Sequence, residues 1–292
     1  MGEAVKKSPQ IVTLDRAMKD LPPLPTAVAK ILVLTGDQNS RAEELEKFII
    51  TDQAISTKVL RVVNSPYFGV SGQVASMSQA VLILGFDQIR NLVLSLGTTK
   101  VFDSSSPAVK ELHLQLWRHA FASAAAAQFI ARRKHLEHKD LDLVFSGGLL
   151  SNVGALFLAA QFTKPYTLIY DKHTNDNQNL SEMETKSFNT THAEIGQQLG
   201  VMWKFPENLC IMLGRHEGPF EGDPVPSLYA VHAGDRIASV VCKPRDQWTD
   251  EVLHIDPAVT DWLGFDDATF AKAKEETLLK LEAASDMLNL FG

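Results

Sequence analysis

Four polar side chains lie on apolar helical stripes, where they could bind a metal ion or each other. His119, His192, His216 and Asp235 are each spaced from apolar residues at helical intervals. Imidazole nitrogens and carboxylate oxygens are common ligands of transition metals. Because a buried carboxylate is costly unless it is paired, Asp235 requires a partner, and a histidine or a metal ion would serve. His232, in the register of Asp235, is expected to be a core histidine with satisfied hydrogen bonds.

A run of small and apolar residues carries a polar doublet at its centre. Residues 145–156 read Phe-Ser-Gly-Gly-Leu-Leu-Ser-Asn-Val-Gly-Ala-Leu, and the doublet is Ser151 and Asn152. The run resembles the segment of HD-superfamily phosphohydrolases in which Gly-Leu-Leu-His-Asp, a hydrophobic residue and Gly-Lys carry a metal-binding His-Asp pair. Ala155 stands at the position of the lysine. Because a hydroxyl and a neutral amide are weak metal ligands, the degenerate doublet favours a binding role over hydrolysis.

The same resemblance implies roles for the residues on the helical stripes. In HD phosphohydrolases the first ligand is a histidine before the pair and the last is an aspartate on a later helix, and His119 and Asp235 match these positions. His192 and His216 resemble the additional histidines of a subgroup that binds two metals. That subgroup often has a His-His pair at the latter position, whereas Glu217 follows His216 here. The resemblance therefore implies a site that lacks the carboxylate bridging the two ions.

Two interpretations of these four residues stay open. We favour a hydrogen-bonded polar core that fixes helix packing; the other interpretation is a single-metal site of three imidazoles and one carboxylate. The missing carboxylate would hold the metal and orient the attacking hydroxide, so its loss is expected to abolish hydrolysis and weaken metal binding. We therefore predict no catalytic residue and no cofactor, with a divalent metal ion at His119, His192, His216 and Asp235 as the alternative.

Helix signals dominate the chain and no alternating strand pattern persists, so the predicted fold is all-α. Asp52 and Thr191 stand at N-cap positions, and Glu194 completes a capping box with Thr191. Ser106 followed by proline predicts the start of a long alanine-rich helix. The uncharged run 143–162 has the length of a membrane span, but its glycines and polar residues favour a buried helix.

Two further segments receive structural predictions. The polar stretch 171–179 is rich in asparagine and predicts an exposed loop. The carboxyl-terminal segment places Phe270, Leu278, Leu281 and Leu288 on one face, which predicts an amphipathic helix docked on the body of the protein.

Four short motifs occur in a characteristic order in the amino-terminal part of the chain. Leu-Pro-Pro-Leu-Pro stands at 21–25, Thr-Asp-Gln at 51–53, Asn-Ser-Pro-Tyr-Phe-Gly at 64–69 and Ala-Val-Leu-Ile-Leu-Gly at 80–85. In this order they resemble the HDOD family, the HD-related output domain of bacterial signalling proteins, over roughly residues 21–239. The resemblance implies an all-helical fold with an amino-terminal bundle and an HD-like half. It also implies a cytoplasmic setting and a regulatory role.

The length of 292 residues suffices for one large domain or two modest ones. With the resemblance, we predict an amino-terminal extension (1–20), an amino-terminal helical half (21–110), a degenerate HD-like half (111–240) and a carboxyl-terminal helical extension (241–292).

Composition excludes several classes of protein. A net charge of −7 argues against general nucleic-acid binding, which requires a basic surface. The basic run Arg132-Arg133-Lys134 is expected to end a helix, where cations interact favourably with the helix dipole, and this interpretation is preferred over a phosphate site. Cys210 and Cys242 have no paired spacing, so neither a disulfide framework nor a thiolate metal site is indicated, in agreement with a reducing cytoplasm. The amino-terminal residues lack the apolar core of a signal peptide.

The leading hypothesis is a non-catalytic signalling module that binds a protein partner or a small signal molecule. The alternative is a divergent metal-dependent phosphohydrolase or phosphodiesterase of the HD superfamily, using His119, His192, His216 and Asp235. A nucleotide-binding module ranks below both because no basic phosphate clamp is evident. We expect a signalling protein as partner and neither nucleic acid nor membrane, and the sequence leaves a homodimer open.

Overall fold

The computed structural model describes residues 14, 16–21, 23–24, 28–31, 42–102, 104, 106–248 and 254–288. In these ranges it contains no strand, and fifteen α-helices have described bounds, so the all-α prediction is confirmed. Most of the predicted extension 1–20, and two prolines of the motif at 21–25, lie outside the described residues. The helices are α1 (Ala42–Ile50), α2 (Gln53–Val63), α3 (Met77–Leu84), α4 (Phe86–Val101), α5 (Pro107–Arg133), α6 (His138–Leu150), α7 (Val153–Gln161), α8 (Thr163–Asp176), α9 (Leu180–Phe188), α10 (His192–Met202), α11 (Glu207–Arg215), α12 (Pro226–Val241), α13 (Pro257–Leu263), α14 (Asp267–Ala283) and α15 (Ser285–Leu288).

The amino-terminal half, α1–α4, packs on α5 through the turn that follows α2. The Asp52 side chain caps α2 by accepting hydrogen bonds from the backbone of Ala54 and Ile55, both at 3.1 Å. After α2 the chain turns through residues 64–69, and the Tyr67 ring lies edge-on to Phe121 of α5 with 5.7 Å between ring centroids. This turn therefore joins the two halves of the molecule.

The HD-like half is built around α5, which contacts α6 on one side and α12 on another. A Cβ atom added at Gly148 of α6 would lie 2.7 Å from the Cα of Ala124, and one at Gly234 of α12 would lie 2.6 Å from the backbone nitrogen of Ala127. Glycine facing alanine thus lets the helix backbones approach closely. This close packing brings α12 to the part of α5 that carries His119.

The uncharged run 143–162 forms two buried helices, α6 and α7, with a break at Ser151 and Asn152. One helical stretch among the described residues, His138–Gln161, is long and apolar enough to cross a membrane, and 89% of its most apolar window is buried inside the protein. Burial in the core accounts for this hydrophobicity. The break places the polar doublet at the junction of the two helices.

The prediction of a loop over 171–179 is wrong for residues 171–176, although the predicted exposure of the stretch is largely correct. Helix α8 continues to Asp176 and ends at Asn177, whose backbone is left-handed with φ of 56°. The buried face of α8, formed by Tyr166, Ile169 and Tyr170, ends before this stretch, so its last turns are an exposed continuation of a helix that is anchored earlier. Asparagine tolerates the left-handed conformation, so Asn177 marks the true end.

The carboxyl-terminal helix α14 docks on α5 and α12. Leu281 and Leu288 are buried, whereas Phe270 and Leu278 are partly buried. The Lys134 ammonium at the end of α5 donates a 2.7 Å hydrogen bond to the Trp262 carbonyl at the end of α13. The buried hydrophobic residues form one cluster that extends from the amino-terminal half to these last helices.

Candidate functional site

His119 and Asp235 form a buried pair between α5 and α12. The Nε2 atom of His119 donates to Oδ1 of Asp235 over 2.8 Å, and the two residues are 9% and 4% exposed. Burial alone would lower the pKa of His119, but the charge of Asp235 and this hydrogen bond raise it to about 10. Burial opposes the charge on Asp235, yet the imidazolium of His119 holds the pKa of the carboxyl well below its usual value. The pair is therefore ionised and neutral overall at physiological pH.

The doublet makes internal hydrogen bonds beside this pair. The Ser151 hydroxyl donates to the Gly148 carbonyl over 3.0 Å. The amide nitrogen of Asn152 lies 3.2 Å from Oγ of Ser151 and 3.4 Å from Oδ1 of Asp235. An amide that turns its nitrogen toward a carboxylate acts as a donor and offers no lone pair to a cation there. The doublet therefore supplies no strong metal ligand at this position, while His119 and Asp235, which are of metal-binding types, bind each other.

His192 and His216 form a second pair, and an outer acceptor holds each ring. Nδ1 of His192 donates to Oε2 of Glu184 over 2.7 Å, and Nδ1 of His216 donates to the Leu213 carbonyl over 3.0 Å. The two Nε2 atoms face each other at 3.2 Å. Because each Nδ1 must carry its hydrogen, two neutral rings would oppose lone pairs. A single proton or a cation between the Nε2 atoms removes that conflict.

The electrostatic environment favours the proton on His192. Burial lowers the pKa of this ring, but the charge and hydrogen bond of Glu184 outweigh burial and raise it to about 9. The pKa of His216 is lowered, mainly by burial and also by the neighbouring positive charge of His192. An imidazolium at His192 can therefore donate one hydrogen bond to Glu184 and another to a neutral His216.

Glu217 brings a carboxylate to the histidine pair. Its Oε1 lies 4.0 Å from Nε2 of His192 and 3.8 Å from Nε2 of His216, so one ligand atom from each residue lies within 4.8 Å of the others. Two imidazoles and a carboxylate are a ligand set suited to zinc, and Glu184 would orient the His192 ring as outer carboxylates do in metal sites. These three side chains fit a single cation by type and spacing.

Arg236 already binds the same carboxylate. Its guanidinium lies 2.8 Å from Oε2 of Glu217, which also accepts a 3.2 Å hydrogen bond from Ser181. Burial would raise the pKa of Glu217, but Arg236 and then the two histidines lower it to about 2. A divalent ion would therefore join a carboxylate that is already neutralised by an internal cation.

The charges of the site balance without an ion. Three carboxylates (Glu184, Glu217 and Asp235) face three cations (His119, His192 and Arg236) among the described residues. A small cavity of about 20 Å³ beside Glu217, Asp235 and the three cations has room for one water molecule or one ion. It continues into a larger cleft of about 1040 Å³, the outer cleft, which is lined in part by Tyr170, His173 and Cys242. A substrate could occupy the outer cleft but is too large for the small cavity.

The structure groups the four predicted residues differently from a four-ligand site. His119 lies with Asp235, and His192 lies with His216 and Glu217, so the described residues do not bring all four to one point. The sequence analysis did not assign Glu184 or Arg236 to the site. It mentioned Glu217 only because this residue stands where a related subgroup often has a second histidine. Arg236 could have been suspected because it directly follows Asp235. Glu184 offers no local signal.

His232 is a core histidine whose two ring nitrogens both have partners. Nδ1 donates to the His216 carbonyl over 2.7 Å, and Nε2 accepts from the Asp256 backbone over 3.0 Å. Burial, followed by the charge of Arg236, lowers the pKa of His232 to about 4, so this ring is neutral. It links α12 to His216, which directly follows α11, and to Asp256, which precedes α13. His232 does not line the small cavity.

The all-α fold and the ordered amino-terminal motifs are those of an HD-related output domain. The family model of the HDOD domain matches residues 21–219, and the chain belongs to this family. The match covers most of the chain and ends before Asp235 and Arg236.

Solved structures show the same fold along almost the whole chain. An HDOD domain protein of unknown function from Geobacter sulfurreducens has a TM-score of 0.70 at 22% identity, covering 96% of this chain and 98% of its own. A Shewanella amazonensis SB2B protein provisionally named a phosphohydrolase has a TM-score of 0.71 at 21% identity, with the same coverage. A Marinobacter aquaeolei VT8 protein provisionally named a signal transduction protein has a TM-score of 0.68 at 20% identity, covering 97% of this chain and 65% of its own. At these identities the similarity establishes the fold alone.

One curated relative is an uncharacterised protein of Treponema pallidum (strain Nichols). It is 26% identical over 188 residues, which are 64% of this chain and 36% of the relative. The matched part thus spans about a third of the relative's length.

Proposed function

We propose that this chain is a non-catalytic module of bacterial signal transduction, acting in the cytoplasm by binding a protein partner or a small signal molecule. The observation that carries the proposal is the internal charge balance of the HD-like site. His119 and Arg236 supply positive charge to Asp235 and Glu217, the carboxylates that line the small cavity. A metal at this place would have to compete with cations that belong to the chain.

The degenerate doublet supports the same conclusion. Hydrolysis by an HD-type centre needs a carboxylate that holds the metal and orients the attacking hydroxide. Asn152 stands at the position that would supply it and turns its amide nitrogen to Asp235. The ionised pairs then serve to fix the packing of α5, α10 and α12, and the outer cleft remains available as a binding surface. A partner or signal molecule bound in the outer cleft would favour one packing arrangement of these helices over another. Such a shift between conformations would transmit the signal.

Activity measurements test this proposal directly. The full chain, purified without added metal, is assayed against a generic phosphodiester with Mn²⁺, Fe²⁺ or Zn²⁺, alongside His119→Ala and Asp235→Ala. We expect no turnover above a protein-free blank in the parent, in the two site variants or in an Asp261→Ala control, which removes an exposed carboxylate from α13. Metal-dependent turnover in the parent and the control, with loss in both site variants, would contradict a non-catalytic role.

A second candidate function, a divergent metal-dependent phosphohydrolase, rests on the convergence of His192, His216 and Glu217. These residues would hold one ion, which would supply a Lewis acid next to the outer cleft. Calorimetric titration with Zn²⁺ distinguishes the candidates. Stoichiometric binding that is lost in His216→Ala and Glu217→Gln but kept in His173→Ala would favour this second function, because His173 lines the outer cleft without belonging to the group. We expect only weak binding.

A further inference from the structure

We propose that a second cleft, on the far part of α5 from the HD-like site, binds a small phosphorylated molecule that carries an apolar ring. The cleft has a volume of about 470 Å³ and lies between the end of α5, the turn 64–69, the α3–α4 junction and α14. We call it the basic cleft. This assignment goes beyond the proposed function and holds whether or not the HD-like site is catalytic.

Cations from two separate helices converge on the basic cleft. Arg132 and Arg133 come from the last turn of α5, and Lys280 comes from α14. Arg132 forms no hydrogen bond or ion pair with another described residue. The one carboxylate among the described residues that line the cleft is Glu276, which lies 3.7 Å from the ammonium of Lys272. Glu276 also lies near Lys280, and Asp266 lies near Arg133, so Arg132 is the cation of the cleft with no carboxylate partner among the described residues.

The surroundings of Lys280 disfavour its positive charge. Burial and then the positive charge of Arg132 lower the pKa of this lysine. Its ammonium donates one hydrogen bond of 2.8 Å to the Tyr67 carbonyl and lies 5.3 Å from the centroid of that ring. Two of its three hydrogens are thus left for another acceptor. A bound anion would relieve the repulsion and accept these hydrogens.

Tyr67 contributes a polar side chain to the wall of the basic cleft. The residue lines the cleft and is only 4% exposed. Burial raises the pKa of its phenol far above its usual value, so the hydroxyl stays protonated and can act as a hydrogen-bond donor.

The chemistry of the walls defines the class of ligand. Guanidinium groups bind phosphate oxygens with two donors at once, and an ammonium adds a compact charge. Phe68, Leu84 and Phe129 form partly exposed apolar walls next to these cations, suited to a flat ring. The volume lies within the range of about 300–1,000 Å³ that is usual for small-molecule sites. A mononucleotide is the simplest molecule with both features.

Helix termination explains only part of this arrangement. Cations at the end of α5 interact favourably with the helix dipole, as the sequence predicted for the basic run. Lys134 already serves the packing of this end by bonding to the Trp262 carbonyl. Lys280 lies in the last turn of α14, so the dipole of each helix favours its own cations, but it does not explain why cations from two helices meet at one cleft with apolar walls. A ligand in the basic cleft would bridge the amino-terminal half and the HD-like half.

Isothermal titration calorimetry of the full chain tests the proposal, with adenosine monophosphate, adenosine, inorganic phosphate and a glutamate-rich peptide as separate probes. We expect saturable binding of the nucleotide and weaker binding of phosphate or adenosine alone. Arg132→Gln should weaken nucleotide binding by about tenfold or more, because it removes a charged hydrogen-bond donor. Tyr67→Phe should weaken it by less. Arg118→Gln is the matched control, since Arg118 is an exposed arginine on α5 outside the cleft, and should leave affinity unchanged.

Several results would overturn the proposal. Suppose that Arg132→Gln is folded, as judged by thermal melting, and still binds the nucleotide with the affinity of the parent. That result would show that any nucleotide binds elsewhere on the protein. Equal affinity for inorganic phosphate and the nucleotide would remove the role of the apolar walls. Binding of the acidic peptide without the nucleotide would assign the cleft to a protein partner, and no binding by any probe would leave it without a ligand.

Discussion

The buried histidines of this protein act as cations as well as packing groups. His119 and His192 each face a carboxylate that outweighs the cost of burying their charge. Asp235 and Glu217 depend on positive neighbours in the same way. Removing one member of such a pair leaves a buried charge without compensation, which costs about 3–5 kcal/mol. At this scale the site is a set of mutually dependent charges, so its residues are needed for stability whether or not they bind a ligand.

The raised pKa values of two histidines predict how stability depends on pH. In the folded protein the pKa of His119 is about 10 and that of His192 about 9, against an ordinary value of 6.5. Between these values the folded state holds protons that the unfolded chain releases, so stability falls as pH rises. The contribution is complete below pH 6.5 and is lost as the pH passes through about 9 and then about 10. Urea unfolding at a series of pH values measures this decline.

Substituting one buried and one exposed histidine tests whether the buried pair causes this dependence on pH. His119→Gln should destabilise the protein by about 3–5 kcal/mol near neutral pH and reduce the decline at alkaline pH. His138→Gln removes a histidine whose side chain is 92% exposed and should preserve both the stability and the decline. The same pH dependence in all three proteins would show that the His119 pair does not produce it.

At the scale of helices, close backbone contacts hold the site residues in place. Helices α7 and α10 meet at Gly154, where an added Cβ atom would lie only 2.0 Å from the His192 carbonyl. At Gly196 of α10, in the same interface, the nearest atom would be 3.5 Å away, which is ordinary contact. The approach of α7 to the beginning of α10 thus fixes the backbone of His192, whose amide donates to Glu184 over 2.8 Å.

These two glycines give a matched pair of alanine substitutions. Gly154→Ala must push α7 away from α10, so we expect a loss of at least about 1–3 kcal/mol in the free energy of unfolding. Gly196→Ala should be neutral or stabilising by up to about 1 kcal/mol, because alanine is the better helix former. Urea unfolding of both variants measures the difference. Equal effects would mean that the α7–α10 interface is looser than these distances indicate.

At the scale of the whole molecule, the core extends beyond the segment that identifies the family. The HDOD match ends at residue 219, whereas α12 and α14 contribute buried residues to the same hydrophobic cluster as the amino-terminal half. Asp235 and Lys280 also lie beyond this limit, one in the HD-like site and the other in the basic cleft. The last helices are therefore part of the body of the protein.

A shared core predicts one cooperative unfolding transition for the chain. Leu281 of α14 is 2% exposed, so Leu281→Ala should cost about 2–5 kcal/mol and shift the entire transition. Leu279→Ala is the control from the same helix, since Leu279 is 63% exposed and its loss should have little effect. Calorimetry and circular dichroism should report the same midpoint. Two transitions, with only one shifted by Leu281→Ala, would contradict a common core.

The sequence was sufficient for features that depend on neighbours along the chain. The N-cap of Asp52 and the capping box of Thr191 and Glu194 were predicted because a cap involves residues two or three positions apart. The helical spacing of apolar residues also predicted that His119 and Asp235 face the interior, and both are buried. The prediction of a loop over 171–179 was wrong because polar composition reports exposure and not backbone conformation, and the exposed residues 171–176 continue helix α8.

Only the tertiary structure decided which polar residues meet. His119 and Asp235 are 116 positions apart, and their contact depends on how closely α5 and α12 pack. The same packing paired Arg236 with Glu217, and the docking of α14 placed Lys280 beside Arg132 and Tyr67. The sequence showed no basic phosphate clamp because these cations come from separate helices. Charge interactions act through space, so distances between helices, which no local pattern encodes, determine both the closed site and the basic cleft.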